Sequence, residues 1–489
     1  MSAKICLAVD LGAGSGRVLA GIYDGTTLTL RELNRFPSEG VKDESGWHWE
    51  FDRLLRHIKD GIAIAVKEYG AQVASLGVDT WGVDYGLLGA DGELLGQPFQ
   101  YRDSRTDGMM ERACALMPKA EIYRRTGIQF MFFNTLFQLL AEKKLADADR
   151  LLFMPCLINY MLTGQKINER SIASTGQLLA ADTQRWDGEL LAAMGFSEKI
   201  FGELADAGAN LGSLSAAVQR EVGATNLQVI APGCHDTASA VAGTPADDDG
   251  MVFLSSGTWS LMGRELKAPV LTPESFTAGF SNETGVCGTT RYLKNIAGMW
   301  LLQECKRVWD ADSQPLGYDA IIRAAADADA FVSLIDPDAA DFQAPENMPA
   351  AIVNFCKKTS QPAPLTVGQF ARCIFESLAL KYRATLAKLE QLTGSPAAAL
   401  HIVGGGSQNA LLNQFAADAT NRPVIAGPVE ATSIGNILLQ LMSLGDLPSL
   451  SAGRALVRRS FATAEYQPQN PAAWDGAAER FKNLCHSNR

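Results

Sequence analysis

The segments LQVIAPGCHDTASAVAG, at residues 227–243, and MVFLSSGTWSLMG, at residues 251–263, lie close together at the midpoint of the chain and decide its fold. In the first segment a short β run ends at a Pro-Gly turn, and His235, Asp236 and Thr237 then open a helix of small residues. Open α/β sheets bind ligands where strands end and helices begin, because backbone N–H groups and the helix dipole point there. Asp236 is therefore predicted to place a carboxylate at a ligand site, where the helix N-terminus should keep it ionised.

The second segment contains a different kind of turn. A linker rich in Pro, Asp and Gly, at residues 244–250, leads into a strand that breaks at Ser255-Ser256-Gly257-Thr258 and resumes as an extended run. A tight turn of hydroxyl and glycine residues between two strands has the shape of a phosphate cradle. The sequence therefore predicts strand, phosphate-sized turn and strand.

Length, composition and charge indicate a globular protein of two or three domains. The chain has 489 residues, of which 47% are hydrophobic and 20% charged. A net charge of −11 without a basic cluster argues against a nucleic-acid partner. The N-terminus runs directly into a strand without a signal-peptide pattern, and we expect a cytoplasmic protein with no membrane span.

The nine cysteines do not indicate a zinc site or a disulfide framework, because they include no C-x-x-C pair. Cys356 and Cys373 have a spacing that permits pairing, although free thiols are the preferred interpretation.

The N-terminal strand ends in DLGAGSGR, at residues 10–17. A dinucleotide-binding turn would have to open a helix, and the residues that follow are β-rich with a hairpin signal at Asp24-Gly25. The P-loop pattern does not occur in the sequence. Turn amides of this kind can still hold phosphate, with Arg17 adding positive charge and Asp10 able to hold hydrated Mg²⁺. A glycine-rich hairpin without a ligand remains the alternative.

Two further stretches have the composition of a sugar pocket. An amphipathic helix is predicted to end at Gly70, and the strand after it leads into TWGVDY, at residues 80–85. Aromatic groups can pack on the C–H face of a sugar, and polar groups can bind its hydroxyls. A core role for Trp81 is an equal alternative. The string YRDSR, at residues 101–105, is either a surface ion-pair cluster or part of the same pocket, and residues 110–225 are predicted to be mostly helical.

The second half repeats the organisation of the first. A capping box at Thr366 and Gln369 begins a long helix, and a strand at residues 401–403 then meets three glycines, Gly404–Gly406, before another helix. The turn at residues 10–17 corresponds to the one at residues 255–260. Two phosphate-holding turns and a triple glycine are an arrangement for a nucleoside triphosphate.

The motifs DLGAGSGR, GCHDTASAV, FLSSGTWSLMG and HIVGGGSQN, in this order, resemble those of the FGGY carbohydrate kinases. The resemblance extends from about residue 6 to about residue 445. It implies an α/β, two-domain actin/hexokinase/Hsp70-like ATPase fold (ribonuclease H-like), with duplicated halves and a central cleft. We expect an N-terminal domain at 1–243 with the sugar site and first phosphate loop, a nucleotide-binding C-terminal domain at 244–450, and a helical tail at 451–489.

The same resemblance implies the site residues. Those expected to contact ATP are Ala13, Gly14, Ser15, Gly16, Arg17, Thr258, Gln303 and Gly404. Those expected to contact the sugar are Gly82, His235, Asp236, Thr237 and Asn295, with Asp236 as the proton acceptor. Many family members carry Ser or Thr just after the first glycine of the N-terminal motif. This chain has Ala13 there and offers no side-chain hydroxyl.

The residue pattern alone leaves rhamnulose, fuculose, xylulose and glycerol open as substrates. The resemblance of residues 80–85, 101–106 and 294–303 to family sequences implies L-rhamnulose, phosphorylated at O1, with L-fuculose or D-xylulose as alternatives. A different class of function is a non-catalytic sugar or nucleotide sensor. Only four residues precede Ile5 and about forty follow residue 450, so we expect an enzyme rather than a DNA-binding sensor or a chaperone. Monomer and homodimer both remain open.

Overall fold

The computed structural model describes residues 3–224, 226–246, 250–312, 315–343 and 345–487, and within them the fold is α/β. The chain forms two compact units. The first unit comprises Met1–Asp247, Glu265–Tyr292 and Glu430–Phe461. The second unit comprises Asp248–Arg264, Leu293–Val429 and Ala462–Arg489. Within the described residues, no helix is both long enough and apolar enough to span a membrane.

Strands and helices are interspersed along the described part of the chain, with a run of strands at its start and a run of four helices at residues 300–393. The strands are β1 (Lys4–Leu11), β2 (Ser15–Tyr23), β3 (Leu28–Pro37), β4 (Gly40–Asp43), β5 (Gly46–Trp49), β6 (Val73–Thr80), β7 (Tyr85–Leu88), β8 (Arg150–Phe153), β9 (Ile167–Glu169), β10 (Glu203–Ala205), β11 (Asn210–Ser213), β12 (Gln228–Ile230), β13 (Val252–Ser256), β14 (Trp259–Leu266), β15 (Ser281–Thr284), β16 (Thr290–Ala297), β17 (Leu400–Val403), β18 (Val424–Ala426) and β19 (Ala464–Tyr466). The helices are α1 (Phe51–Tyr69), α2 (Met109–Leu116), α3 (Lys119–Thr126), α4 (Thr135–Leu140), α5 (Met154–Thr163), α6 (Arg170–Thr175), α7 (Gly188–Met194), α8 (Ala216–Val222), α9 (Asp236–Ala242), α10 (Pro273–Ala278), α11 (Trp300–Asp312), α12 (Tyr318–Asp327), α13 (Met348–Lys358), α14 (Val367–Thr393), α15 (Ala410–Thr420), α16 (Ala431–Ser443), α17 (Leu450–Ser460) and α18 (Ala473–Ser487).

The first unit is built on a sheet with the strand order β11-β12-β6-β1-β2-β3. Strand β1 runs antiparallel to β2 and parallel to β6. In this register Asp10 lies opposite Arg17 on one side and beside Asp79 on the other. Residues that are directly opposite on paired strands share a face of the sheet, so three charged side chains come together at its end.

Two helices cover this sheet with different chemistry. Helix α1 buries an apolar stripe that includes Phe51, Ile58 and Ile62, and it ends at Gly70, whose φ is +57°, as predicted. Helix α16 packs on β1 through apolar residues, and it carries the polar side chains of Asn436 and Gln440 toward β6. The side chain of Gln440 donates to the carbonyl of Leu7 at 2.9 Å and accepts from Ser75 at 2.6 Å.

The second unit contains the strand order β14-β13-β17-β18-β19. Strand β13 pairs antiparallel with β14 and parallel with β17, which confirms that the chain stays extended on both sides of the turn at residues 255–258. The 27-residue helix α14 begins with the predicted capping box of Thr366 and Gln369 and ends at Gly394. Cys356 and Cys373 are both free thiols.

The structure differs from the sequence expectations in three places. Residues 110–225 include strands β8 to β11, each of only three or four residues, which is too short for an alternating pattern to identify. Residues Glu430–Phe461 contact the first unit and belong to it, although most of them were expected to lie in the C-terminal domain at 244–450. The tail expected to be helical contains β19, which pairs with β18. Residues 247–249 of the predicted linker lie outside the described residues.

Candidate active site

The N-terminal glycine turn joins β1 to β2 and is held by its own backbone and by Ser38. The N–H of Gly12 donates to the carbonyl of Ser15 at 3.0 Å, and the Ser38 hydroxyl donates to the carbonyl of Gly12 at 2.7 Å. Gly14 and Ser15 are exposed, whereas a Cβ at Gly16 would overlap the Phe36 ring. The open side of the turn is therefore at Gly14 and Ser15, and packing is a sufficient reason for glycine at position 16.

Arg17 makes ion pairs with two carboxylates. One amino group of its guanidinium lies 2.5 Å from Asp10 Oδ2, and the other lies 2.5 Å from Glu430 Oε2. Burial alone would lower the pKa of Arg17, but the two carboxylates raise it above its ordinary value. Sequence reasoning found Asp10 and Arg17 but missed Glu430, which precedes α16 and reaches the turn only through the fold.

A second carboxylate missed by sequence reasoning is Asp79, at the end of β6. Its side chain is fully buried and accepts a hydrogen bond of 2.5 Å from Asn436. Its other oxygen has no hydrogen-bond partner among the described residues. Burial raises the pKa of Asp79 well above the ordinary value, and the negative charge of Asp10 raises it further.

Asp236 is the first residue of α9 and sits beside these groups. Its side chain is 33% exposed, accepts from the Thr237 hydroxyl at 3.1 Å and lies 3.4 Å from His235 Nε2. The expected stabilisation of its charge by the helix N-terminus does not dominate. Partial burial raises the pKa of Asp236, the charge of Asp10 adds to that rise, and His235 opposes it.

Behind His235 lies a buried pair of charged residues, Glu283 and Arg291. His235 Nδ1 is 3.1 Å from Arg291 Nη1 and 3.3 Å from Glu283 Oε2. Arg291 also donates through Nε to the carbonyl of Thr284 at 3.0 Å. Neither Glu283 nor Arg291 belongs to a motif in the sequence, and no local signal distinguishes them.

The segment that carries Gly82 has an unusual backbone. Val83 has a φ of +69°, which is rare for a β-branched residue and costs free energy. Two threonine hydroxyls hold this conformation: Thr175 accepts from the Val83 N–H at 3.0 Å, and Thr135 donates to its carbonyl at 2.6 Å. A Cβ at Gly82 would lie 3.1 Å from the Thr175 hydroxyl, so the backbone approaches that helix closely.

Trp81 is a buried aromatic residue whose polar atom is already bonded. Its ring lies 4.0 Å from that of Trp49, and both indole N–H groups donate to Asp84 Oδ2, at 2.9 and 2.7 Å. Asp84 is fully buried, and burial raises its pKa to about 6. This geometry favours the core interpretation of Trp81.

The string at residues 101–105 is not a surface cluster. Arg105 pairs with Glu142 at 2.9 Å, donates to Gln138 at 3.0 Å and lies over the Phe99 ring at 3.8 Å. Together with Tyr85 it lines a cavity of about 820 Å³ whose lining does not include Gly82, His235 or Asp236.

The remaining predicted residues lie in the second unit. Thr258, in the turn between β13 and β14, places its hydroxyl 3.4 Å from Gln303 Oε1. Gly404 has a φ of +84°, and a Cβ there would lie 3.0 Å from the Ser256 carbonyl, so this turn and the triple glycine are adjacent. Asn295 is half-buried on β16. The structure thus brings Thr258 and Gln303 together beside Gly404.

Two family models cover most of the chain. The N-terminal domain of the FGGY family of carbohydrate kinases matches residues 5–243, and the C-terminal domain of that family matches residues 252–444. The chain belongs to the FGGY family of carbohydrate kinases. The family assumed from four motifs is thereby confirmed.

Several FGGY relatives are similar over nearly their full length. A rhamnulokinase from Bacteroides thetaiotaomicron is 47% identical over 481 residues, which are 97% of this chain and 98% of the relative. A rhamnulokinase from Pectobacterium carotovorum subsp. carotovorum is 43% identical over 494 residues, covering 99% and 97%. A xylulose kinase structure from Lactobacillus acidophilus, 17% identical, covers 99% of this chain and 97% of its own with a TM-score of 0.82. Plasmodium falciparum glycerol kinase with ADP, 15% identical, covers 100% and 98% with a TM-score of 0.77. The structural matches confirm the expected fold class.

One carboxylate at the glycine turn has the chemistry of a magnesium ligand. Among the described residues there is no group of three or more His, Cys, Asp or Glu side chains that could hold a metal ion. Mg²⁺ usually takes one or two carboxylates, waters and substrate phosphates as ligands. Asp10, at the base of the glycine turn, can supply one such carboxylate.

Proposed function

We propose that the chain is an ATP-dependent kinase that transfers the γ-phosphate of ATP to O1 of L-rhamnulose, giving L-rhamnulose 1-phosphate and ADP in L-rhamnose catabolism. The observation that carries the proposal is the near-full-length similarity to proteins named rhamnulokinase, one of them 47% identical. The match covers 97% of this chain and therefore includes the segments assigned here to the sugar. The substrate therefore follows the relatives rather than the solved structures, whose 15–17% identity supports the fold alone.

Asp236 is the proton acceptor in this proposal. As the O1 oxygen of the sugar bonds to the γ-phosphorus, the bond from that phosphorus to the bridging oxygen of ATP breaks, ADP leaves, and the hydroxyl proton passes to Asp236. A general base works best when its pKa approaches the working pH. The raised pKa of Asp236, caused by partial burial and by Asp10, moves it in that direction.

The nucleotide phosphates are assigned to the turn from Ala13 to Gly16. Its edge at Gly14 and Ser15 is exposed to a ligand, and Arg17 lies at its end with a positive charge that it shares with Asp10 and Glu430. Mg²⁺, held by Asp10, would supply charge neutralisation between the phosphates. In the second unit Thr258, Gln303 and Gly404 contact the nucleotide, where the positive φ of Gly404 lets the backbone approach a ligand.

The sugar is assigned to Gly82, His235, Thr237 and Asn295, together with Asp236. The strained backbone at Val83 supports this assignment, because such strain concentrates at ligand sites. Since the reaction consumes ATP, we place the enzyme in the cytoplasm. Its acidic charge of −11 is consistent with small-molecule substrates and no nucleic-acid partner. A monomer and a homodimer fit the proposal equally.

An ADP-release assay over L-rhamnulose, L-fuculose, D-xylulose and glycerol tests the substrate. We expect the highest kcat/KM for L-rhamnulose. The methyl group of a 6-deoxy sugar gains about 1–3 kcal/mol from apolar contact, so D-xylulose, which lacks it, should react roughly ten- to a hundredfold less efficiently. L-fuculose carries the same methyl group, so its comparison with L-rhamnulose tests the contacts of the hydroxyl groups instead. A higher kcat/KM for L-fuculose or D-xylulose would replace the substrate but keep the kinase. ADP release at the same rate without any sugar would instead favour an ATPase, and no ADP release with any sugar would favour a non-catalytic sensor.

A further inference from the structure

The first unit contains a buried ion pair that the proposed reaction does not use. Arg291 is fully buried and Glu283 is 4% exposed, with Arg291 Nη2 at 3.3 Å from Glu283 Oε2. Burial would raise the pKa of Glu283, but the positive charge of Arg291 lowers it, so the carboxylate is charged. Removing two charges from water costs several kcal/mol per ion before their attraction is counted. Apolar residues of similar volume would avoid this cost, so the pair calls for a reason beyond packing.

The contact of Arg291 with His235 supplies a functional reason for the buried ion pair. A guanidinium group has five N–H donors and no acceptor. Arg291 Nη1 lies 3.1 Å from His235 Nδ1 with hydrogen-bond geometry, so Nδ1 must accept. Glu283 Oε2 is 3.3 Å from the same nitrogen, yet it has no hydrogen-bond partner among the described residues. The geometry therefore selects arginine rather than glutamate as the partner of Nδ1.

The alternative protonation states conflict with this contact. A proton on Nδ1 would face the donor of Arg291 across 3.1 Å inside the protein, leaving that buried N–H without its acceptor. The guanidinium has little freedom to turn away, because its Nε is bonded to the carbonyl of Thr284 at 3.0 Å. The ring of His235 must then carry its single proton on Nε2.

We propose that Arg291 is a positioning residue that fixes His235 as the neutral Nε2–H tautomer, and that Glu283 holds Arg291 in place for that purpose. The proposal deepens the proposed kinase function and depends on it for its catalytic consequence. In this tautomer the proton is on Nε2, which lies 3.4 Å from Asp236 Oδ1, and the Nε2–H group is a donor available to a sugar hydroxyl. His235 then cannot accept a proton at Nε2, and Asp236 remains the acceptor.

Nitrogen NMR of the full-length chain labelled with ¹⁵N-histidine tests the tautomer directly. The chain has only five histidines, and the spectrum of His235→Gln identifies the signals of His235 by their loss. We expect an acceptor-type shift at Nδ1 and a donor-type shift at Nε2 near neutral pH, without sugar or nucleotide. A protonated Nδ1, alone or together with Nε2, overturns the proposal.

Two variants separate the roles of the ion-pair partners. In Arg291→Met the carboxylate of Glu283 is left facing Nδ1, and we expect that nitrogen to gain a proton while kcat/KM falls about 100-fold, the usual effect of misplacing a group near the reaction. In Glu283→Gln the glutamine amide oxygen can still accept from the Arg291 guanidinium and hold it in place, so we expect the wild-type tautomer and a smaller loss of activity. The reverse result, with the tautomer changed by Glu283→Gln and not by Arg291→Met, rejects the proposal.

The NMR test of the His235 tautomer remains decisive if one variant fails to fold or if the proposed substrate is wrong. If Arg291→Met leaves Glu283 uncompensated and fails to fold, the wild-type and Glu283→Gln spectra still decide the tautomer. If the wild-type protein phosphorylates no sugar, the proposed function fails, but the nitrogen shifts still report the state of His235. If it phosphorylates L-rhamnulose with a protonated Nδ1, only the positioning role of Arg291 fails.

Discussion

At the scale of single residues, Asp236 experiences two opposing influences. His235 and the Thr237 hydroxyl favour its ionised form, whereas burial and the charge of Asp10 favour the protonated form, and the second pair prevails. A carboxylate with a raised pKa is a stronger base than an exposed one. The same neighbours also explain the sign of its pH dependence: activity requires the ionised form, so kcat/KM should decline as the pH falls through a pKa above the ordinary value for aspartate.

We predict that Asp236→Asn lowers kcat by about 10²–10⁴-fold, because general-base catalysis is typically worth that much, while sugar binding changes by less than about tenfold. Steady-state ADP release and calorimetric titration with sugar measure the two quantities. Asp60→Asn, at an exposed position of α1, is the matched control and should behave as the wild type. A kcat close to the wild-type value in Asp236→Asn would remove this carboxylate from the mechanism.

Only some of the residues of the candidate active site could be identified from the local sequence. Asp10, Arg17, His235 and Asp236 lie in glycine-rich or small-residue segments where strands end, and the local pattern identified them. Asp79 and Glu430 contribute to the same charged cluster, yet no local pattern identified either of them as a site residue. Strand register and the docking of α16 bring them in, and neither is encoded in local spacing.

At the scale of elements, the helices α9 and α16 approach unusually closely. A Cβ at Gly435 would overlap the backbone carbonyl of Ser239, and one at Gly243 would overlap that of Ala431. Because α9 begins with Asp236 and α16 follows Glu430, this crossing sets the positions of two site carboxylates. Glycine is needed here for close approach rather than for its conformational freedom.

We predict that Gly435→Ala destabilises the protein by roughly 1–3 kcal/mol, because overpacking against backbone atoms forces the helices apart. Gly476→Ala is the matched control: it lies on α18, is exposed, and a Cβ there would meet no described atom within 4 Å. The control should be unchanged or stabilised by up to about 1 kcal/mol, since alanine is the better helix former. Urea unfolding midpoints measure both, and equal midpoints for Gly435→Ala and wild type would refute the close-crossing argument.

The sequence predicted correctly those helices whose apolar periodicity extends over several turns. Helices α1 and α14, of 19 and 27 residues, display several turns of an apolar stripe with clear end signals. Strands β8 to β11 could not be found in this way, because three or four residues include at most two on each face. Their existence follows from pairing between distant segments, such as β7 with β8.

At the scale of the whole molecule, the units are not consecutive parts of the chain. The apolar residues Ile434, Ile437, Leu438 and Leu441 of α16 share a buried cluster with Cys6 and Ala8 of β1. Each fully buried aliphatic side chain contributes about 1.5–3 kcal/mol, so four of them are comparable with the total stability of about 5–15 kcal/mol of a typical protein. The first unit therefore depends on residues far along the sequence.

We predict that a chain ending at Val429 loses the folded core of the first unit, whereas a chain ending at Phe461 keeps it. The shorter chain lacks α16 and α17, which exposes the apolar residues of β1 and leaves the buried polar groups of β6 without their partners on α16, while the longer one lacks only residues of the second unit. Hydrogen–deuterium exchange of peptides from β1 and β6 measures the difference: protection should persist in the longer chain and be lost in the shorter. If the domains instead followed chain order, with the first complete by residue 243, both truncations would leave these strands equally protected. Equal protection would therefore show that the contacts of α16 with β1 are not needed to hold the first unit together.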